Sequence, residues 1–252
     1  MPPKTLPEEF SARFCENHKL RYTGPMRSLL SLALVSLLAL PAWACETPVC
    51  PTDPDTLDLS RRITFDDLPS SFGVGRLING ILEQDGARFG ERFAGQDLGR
   101  DGTFDRVNGT ALAPLTLLPG APNQSLGILR LMRTSVLQGH GPAGYPRTEA
   151  VGEGAIAVIF DWDQSAIALD IRGGEQGFAT LTFLARDGRV IDSHTLGPLS
   201  EATYGFARKD DRPDIAGLLI TNSDPEGIAL DNLRFDRLAA LSLLAPSQTQ
   251  DP

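Results

Sequence analysis

The segment GFATLTFLARDGRVIDSHTL, residues 177–196, decides the fold class. Apolar and polar residues alternate on both sides of Asp187-Gly188, which is the period of a half-buried β-strand. Asp-Gly between two such runs is a strong hairpin signal, because both residues of a tight two-residue turn need a positive φ. The segment therefore predicts two antiparallel strands joined by a tight turn.

Comparable short segments continue on both sides of this hairpin, separated by Gly, Pro, Asn and Asp. None of them carries the apolar stripe of a long helix, so a parallel α/β fold is excluded. The pattern predicts an all-β fold, either a barrel or, as we favour, an antiparallel β-sandwich of the jelly-roll type. The nine candidate strands are residues 61–68, 87–93, 125–132, 154–160, 165–171, 177–186, 189–196, 215–221 and 227–235.

Two Gly- and Pro-rich segments, 94–124 and 138–152, are predicted to be long loops. The acidic stretch DLGRDGTFD (97–105) lies in the first of them and is predicted to be a solvated turn, because it lacks the ligand spacing of an EF-hand. The stretch LINGILEQDG (77–86) is predicted to form at most one helical turn.

The amino terminus predicts export. The apolar run LLSLALVSLLAL (29–40) lies between Met26-Arg27 and Ala42-Trp43-Ala44. This arrangement is typical of a secretory signal peptide over 26–44, and the run is short for a membrane span. The alternative is a buried core helix. Residues 1–25 are then a polar extension, and the mature chain is expected in the periplasm or the medium without membrane attachment.

Composition excludes several classes of function. The 252 residues carry 23 Lys+Arg against 32 Asp+Glu, a formal net charge of −9, which argues against nucleic-acid binding. Only 3 His are present, which argues against a histidine-built zinc or iron site. The sequence also contains no G-x-S-x-G nucleophile motif. We therefore expect a protein that is not an enzyme.

Two cysteines stand at the start of the predicted mature chain. An even pair in an exported protein predicts a Cys45–Cys50 disulfide. Lipid attachment at Cys45 is the alternative, which the preceding Trp43 disfavours. The predicted organisation is a polar extension over 1–25, a signal peptide over 26–44, a disulfide-clipped linker over 45–60, a β-sandwich domain over 61–238 and a tail over 239–252.

Two carboxylates occupy positions that regular alternation would turn toward the core, namely Asp67 in the first candidate strand and Asp231 in the last. A buried carboxylate must be neutral, paired or bound to a metal. The first and last strands are neighbours in many jelly rolls, so these acids could share a structural Ca²⁺. The alternatives are an arginine partner, Arg62 or Arg234, or a solvated strand end. The predicted calcium ligands are Asp66, Asp67, Asp231 and the carbonyl of Asn232.

A candidate sugar site follows the strand 154–160. Trp162 is flanked by Asp161 and Asp163, and an aromatic ring beside two acids can stack on a sugar while the acids bind its hydroxyls. Tyr145, in a Gly/Pro-rich loop, is predicted to join this site. The alternatives are a tryptophan that closes the rim of the sandwich and a mobile loop around Tyr145. The predicted partner is an extracellular polysaccharide.

Four segments carry a family resemblance. In order and spacing they resemble exported bacterial β-sandwich modules, jelly-roll or galactose-binding-like, of the PEP-CTERM-associated type. The resemblance implies glycan binding or an exopolysaccharide-associated role. The chain departs from the pattern in RLAALSLLAPSQTQDP (237–252), which lacks Pro-Glu-Pro. The resembling segments are ITFDDL (63–68), LINGILEQDGARFGERF (77–93), TLTFLARDGRVID (180–192) and ALDNLRF (229–235).

The leading hypothesis is an exported, non-catalytic β-sandwich that binds an extracellular ligand, and the ligand class that we favour is a glycan. A structural cell-surface or matrix protein that acts by self-association is the first alternative. An acid-pair glycoside hydrolase is the second, because the many carboxylates offer many possible pairs.

Overall fold

The computed structural model describes residues 45–237. The predicted extension, signal peptide and tail (1–25, 26–44 and 239–252) lie outside the described residues. The described chain is an all-β antiparallel sandwich, which confirms the predicted fold class, and it has eighteen strands rather than nine. Its helical elements are two short 3₁₀ turns, Pro54–Thr56 and Thr148–Ala150. In this part of the chain no helix is long and apolar enough to span a membrane.

The strands follow one another closely along the chain. In order they are β1 (Val49–Thr52), β2 (Leu59–Ile63), β3 (Arg76–Leu77), β4 (Leu82–Gln84), β5 (Ala87–Gly90), β6 (Arg92–Phe93), β7 (Gln96–Asp101), β8 (Phe104–Gly109), β9 (Leu117–Leu118), β10 (Leu126–Arg130), β11 (Ser135–Gly139), β12 (Ile156–Gln164), β13 (Ala166–Gly173), β14 (Ala179–Leu184), β15 (Val190–Leu196), β16 (Ala202–Arg208), β17 (Ile215–Asn222) and β18 (Ile228–Arg237).

Two sheets form the layers of the sandwich. The larger sheet has the order β1-β16-β13-β18-β11-β10-β3, and β2 also pairs with β18. The smaller sheet has the order β15-β14-β17-β12-β5-β4. The remaining strands form two separate pairs, β6 with β9 and β7 with β8.

The main core fills the space between the two sheets. Phe183 of the smaller sheet packs against Phe206 of the larger one, with ring centroids 5.2 Å apart, and Phe160 packs against Phe235 at 5.3 Å. All four rings are essentially fully buried. Burial of a phenylalanine side chain contributes roughly 1.5–3 kcal/mol, so these aromatic pairs are a large part of what holds the layers together.

The hairpin at 177–196 is confirmed, but its turn differs from the prediction. Gly188 alone of the Asp187-Gly188 pair has a positive φ, at 82°. The Ala185 carbonyl accepts the Gly188 N–H at 2.9 Å, and the Ala185 N–H donates to the Arg189 carbonyl at 2.9 Å. These bonds close a three-residue loop, in which a single left-handed residue is enough.

The segment 94–124 is not a long loop, so that prediction is wrong. It contains the β7–β8 hairpin and β9, and these strands pack on the outer face of the smaller sheet. Phe93 and Leu115 are buried there against Ala157 and Ile159. The Asp101-Gly102 pair at the tip of β7–β8 is the same turn signal that was used at Asp187-Gly188, and it marks a second hairpin.

The predicted linker 45–60 contains a true edge strand, β1. Val49 is fully buried, its N–H donates to the Asp192 carboxylate at 2.9 Å, and its carbonyl lies 2.8 Å from His194 Nε2. These contacts tie β1 of the larger sheet to β15 of the smaller one. The Cα atoms of Cys45 and Cys50 are 5.7 Å apart and their sulfurs lie at disulfide distance, as predicted.

Three further segments also differ from prediction. The stretch 77–86 contains β4 instead of a helical turn. The strand β11 was not predicted, and its last two residues lie in the predicted loop 138–152. The strand β16, which holds Gly205, was missed because its apolar pattern is short. The strands near the two ends of the domain are neighbours as expected, since Ile63 pairs with Leu233 and Arg61 with Phe235.

Candidate functional site

Asp67 does not face the core, so the premise of the predicted calcium site is partly wrong. β2 ends at Ile63, and Phe65 adopts a positive φ of 60°, which breaks the alternation before Asp67 is reached. Both Asp66 and Asp67 are exposed.

Asp231 is buried, but it faces away from the core between the sheets. It pairs with Asp170 across β13, whereas Leu230 and Leu233 both contact the core. A bulge in β18, where Asn232 has a φ of 46°, shifts the alternation by one residue. The predicted shared face of Asp231 and Leu233 is therefore wrong.

The structure does bring three of the four predicted ligands into one polar cluster. The Thr134 hydroxyl lies 3.1 Å from Asp66 Oδ1 and 3.3 Å from Asp231 Oδ2, and Asn232 donates its backbone N–H to Asp231 at 2.7 Å. Burial raises the pKa of Asp231, and the bond from Asn232 and the charge of Arg172 oppose that rise. Arg172 Nε lies 3.6 Å from Asp231 Oδ2. The charge partner is thus an arginine, though neither Arg62 nor Arg234.

No group of three or more His, Cys, Asp or Glu side chains between residues 45 and 237 is arranged to hold a metal ion. Calcium at Asp66, Asp67 and Asp231 stays a prediction. A chelator that lowers the melting temperature of the full chain would support it, and an unchanged melting temperature would remove it.

The two acids beside Trp162 are each paired with an arginine. Asp163 Oδ1 accepts a hydrogen bond from Arg186 Nε at 2.9 Å, and Asp161 lies 3.7 Å from Arg88. The Trp162 ring is 39% exposed, and the Arg61 guanidinium lies 4.6 Å from its centroid, a cation–π contact. In the predicted sugar site, arginines therefore already contact one face of the Trp162 ring and both neighbouring carboxylates.

Tyr145 belongs to a different environment. Its ring packs edge-on against His140, with centroids 5.5 Å apart. His140 is fully buried, and its ring nitrogens lie 2.9 Å from the Ser125 carbonyl oxygen and 3.0 Å from that of Val74. Tyr145 thus contacts His140, and Trp162 contacts Arg61, with no described contact joining the two aromatic residues.

An array of hydroxyl groups lies on the part of the outer face of the smaller sheet that β14, β15 and β17 form. Thr180 of β14 pairs with Thr195 of β15 on one side and with Thr221 of β17 on the other, and Thr182 pairs with Ser193. Cross-strand partners point to the same face of a sheet, and neighbouring strands lie about 4.8 Å apart. The five side chains therefore form a regular array, in which the Thr182 and Ser193 hydroxyls are 3.2 Å apart.

Three members of this array, Thr180, Thr182 and Thr221, form the floor of a groove of about 630 Å³, and Ser193 and Thr195 lie outside it. One wall of the groove is the β7–β8 hairpin, which contributes Asp101, Asp105 and Arg106. Phe178 stands at the rim and is 51% exposed. We call this feature the hydroxyl groove. Its floor residues are Thr180, Thr182 and Thr221, and it also contains Leu219, Asn222 and Ser223.

Asp224 holds the loops at the Phe178 end of the hydroxyl groove. It is fully buried, and its carboxylate accepts N–H groups from Glu175 at 2.9 and 2.8 Å, from Gly177 at 2.8 Å and from Glu226 at 3.1 Å. Its own N–H donates to Asn222 Oδ1 at 3.2 Å. One carboxylate therefore fixes both loops that carry Phe178 and Asn222.

A second buried acid lies behind the hairpin wall. Glu91 is fully buried, and among residues 45–237 no N–H group or hydroxyl donates to either of its carboxyl oxygens, so the neighbouring Asp105 carboxylate is the group with which a protonated Glu91 can form a hydrogen bond. Burial and the negative charge of the neighbouring Asp105 raise the pKa of Glu91 to about 10. Burial also raises the pKa of Asp105, against a hydrogen bond from the Ala155 N–H at 3.1 Å. Glu91 is consequently a neutral carboxylic acid at neutral pH.

The sequence contained a signal for the hydroxyl groove that was not used. In TLTF and DSHTL, Thr180, Thr182, Ser193 and Thr195 occupy the positions that alternate with core-facing residues. Writing the hairpin in register would have placed all four on one outer face. The third strand could not be added, because the sequence does not say that β17 lies beside β14.

Comparison of the chain with family models, curated proteins and solved structures finds no match. The geometry of the hydroxyl groove is therefore the basis for a functional proposal.

Proposed function

We propose that this protein is an exported, non-catalytic β-sandwich that binds an extracellular glycan in the hydroxyl groove. The observation that carries the proposal is the row of Thr180, Thr182 and Thr221 on the groove floor, which Ser193 and Thr195 continue on the neighbouring strand β15. Threonine offers a hydroxyl that donates and accepts together with a methyl group. Such a surface matches a sugar, which alternates hydroxyl groups with C–H faces.

The rest of the groove fits the same ligand class. The exposed Phe178 ring supplies an apolar face on which a sugar can stack. Ser223 and Arg106 add exposed polar groups, so the groove combines apolar contact with a small number of hydrogen-bonding side chains. Its two aspartates, Asp101 and Asp105, both lie on the hairpin wall. They do not face each other across the groove as a glycosidase acid pair would.

The export part of the proposal is supported by the predicted signal peptide over 26–44. The Cys45–Cys50 pair at disulfide distance agrees with it, because disulfides persist mainly in oxidising compartments.

The test is binding to a panel of purified polysaccharides, measured by affinity electrophoresis or calorimetry. Thr180→Val and Thr182→Val remove hydroxyls while keeping shape, and each is expected to weaken binding about tenfold, the loss of about one good hydrogen bond. Phe178→Ala should weaken it at least as much, because the stacking surface is lost.

Two control variants separate this site from others. Thr148→Val removes an exposed hydroxyl outside the groove and should leave binding unchanged. Trp162→Ala should also leave it unchanged. Absence of binding to every polysaccharide would contradict the proposal, and loss of binding in Trp162→Ala alone would move the site to the location predicted from sequence.

A further inference from the structure

The larger sheet has a vacant strand position beside β2. β18 pairs with β13 along one edge, and with β11 and then β2 along the other. β11 continues to β10 and β3, whereas no described strand pairs with the outer edge of β2. The backbone groups on that edge are thus free to pair with another extended chain.

A groove runs along this open edge. It has a volume of about 640 Å³, and the consecutive residues Ser60–Thr64 line it, as expected for a groove parallel to the strand. Gln84 and Asp85, from the turn between β4 and β5, form the far side. We call this feature the edge groove. It lies on β2, whereas the hydroxyl groove lies on β14 and β17.

Acidic and basic residues both line the edge groove, including Asp67 and Asp236, and an acidic side chain of an occupant is favoured at one place, beside Arg62. Arg62 is directly opposite Arg234 in the β2–β18 pair, and like charges placed opposite each other are destabilising. Neither arginine forms an ion pair with any residue in 45–237, and the buried Arg234 Nε has no hydrogen-bond partner there. Arg61 is different, because Asp85 at 2.9 Å and Asp236 at 3.4 Å already neutralise it.

The same charges disfavour a second copy of this chain as the occupant. An antiparallel pairing of β2 with its own copy about a two-fold axis centres on Arg61, the middle residue of Leu59–Ile63. In that pairing Arg62 would lie opposite Ser60 of the copy, and β2 (LSRRI) contains no acidic residue that could pair with Arg62. A second copy therefore leaves Arg62 without a charge partner, which is unfavourable for edge-to-edge association.

We propose that the edge groove binds an extended peptide segment of a partner protein, which adds to the larger sheet beside β2 and places an Asp or Glu side chain next to Arg62. Main-chain hydrogen bonds to β2 supply the affinity in this mode of recognition, and side-chain contacts supply the specificity. The acidic side chain would form an ion pair with Arg62 and so reduce the repulsion between Arg62 and Arg234.

The experiment is selection of a random peptide library, displayed on phage, against the full protein. Enriched peptides are expected to carry an acidic residue between β-branched residues. A synthetic copy of the best peptide should slow hydrogen exchange of the amides in residues 59–63. Binding should fall at least tenfold for Arg62→Glu, and also when alternate peptide nitrogens are methylated, because methylation removes main-chain donors.

Arg212→Glu is the matched control, since it reverses an exposed arginine outside the edge groove and should leave peptide affinity unchanged. No enrichment, or binding insensitive to both Arg62→Glu and methylation, would overturn the proposal. So would protection of residues 59–63 in the free protein that disappears when the chain is cut after Arg237, because residues 238–252 would then already fill the position. Polysaccharide binding is measured separately, so the two proposals fail independently.

Discussion

Replacing Asp224 with alanine is expected to lower the free energy of unfolding by about 3–5 kcal/mol. The carboxylate accepts N–H groups from Glu175, Gly177 and Glu226, with the closest contacts at 2.8 Å, in a fully buried position. Hydrogen bonds to a charged acceptor are about twice as strong as neutral ones, and alanine leaves all three donors without a partner. Urea denaturation of both proteins measures the difference.

Two companion variants sharpen this test. Asp224→Asn keeps the size of the side chain but replaces one oxygen with an NH₂ group. It should therefore lower the free energy of unfolding by less than Asp224→Ala does. Asp187→Ala is the control, because Asp187 is exposed and accepts one N–H, from Arg189 at 3.1 Å. Its cost should stay below about 1 kcal/mol. An Asp224→Ala protein as stable as the Asp187→Ala protein would show that water replaces the carboxylate.

Glu91→Gln is expected to have the opposite effect and to stabilise the protein at neutral and alkaline pH. The pKa of Glu91 is about 10 in the folded state against 4.5 for an unperturbed glutamate. Between these values the folded protein holds a proton that the unfolded chain has released. Stability is therefore greatest below the unfolded pKa and falls as pH rises, by up to about 1.4 kcal/mol per pH unit from this one group.

Glutamine removes this proton linkage, and its NH₂ group can donate to the neighbouring Asp105. The free energy of unfolding of Glu91→Gln should therefore fall less steeply with pH than that of the wild type, measured by urea denaturation from about pH 6 to about pH 9. Glu83→Gln, at an exposed position of β4, should follow the wild-type curve. Parallel curves for wild type and Glu91→Gln would show that Glu91 does not release its proton on unfolding in this range.

The two variants contrast the ways in which a carboxyl group can be buried. The Asp224 carboxylate accepts hydrogen bonds from three N–H groups, whereas in the described part of the chain Glu91 accepts none from an N–H group or hydroxyl and has the acidic Asp105 as its neighbour. The first arrangement is expected to stabilise the fold and the second to cost stability as pH rises.

Local patterns predicted the fold class well. Each of the nine candidate strands overlaps an observed strand, the first of them at residues 61–63 alone, and the 177–196 hairpin forms, because alternation and turn residues act over a few positions. β7, β8 and β16 were missed because they are short or polar and are stabilised by packing on distant strands. A single-sequence pattern does not contain that information.

The predicted site residues show that local alternation does not predict side-chain orientation beyond a strand end or a bulge. The strand β2 ends before Asp67, where Phe65 has a positive φ, and one bulge at Asn232 turns Asp231 to the face opposite to the one predicted. The arginines that pair with Asp161 and Asp163 come from β5 and from the β14–β15 turn, far away in sequence. Such partners depend on which strands are neighbours, and alternation does not specify that.

The position of β18 has a consequence for how the chain becomes folded. It is the final strand of the described chain, yet it lies inside the larger sheet, between β13 and both β11 and β2. That layer cannot close until residue 237 has left the ribosome, and most of the pairing joins remote parts of the chain, which slows folding. The larger sheet of a nascent polypeptide of this design is therefore completed only after nearly all of the described residues have been synthesised.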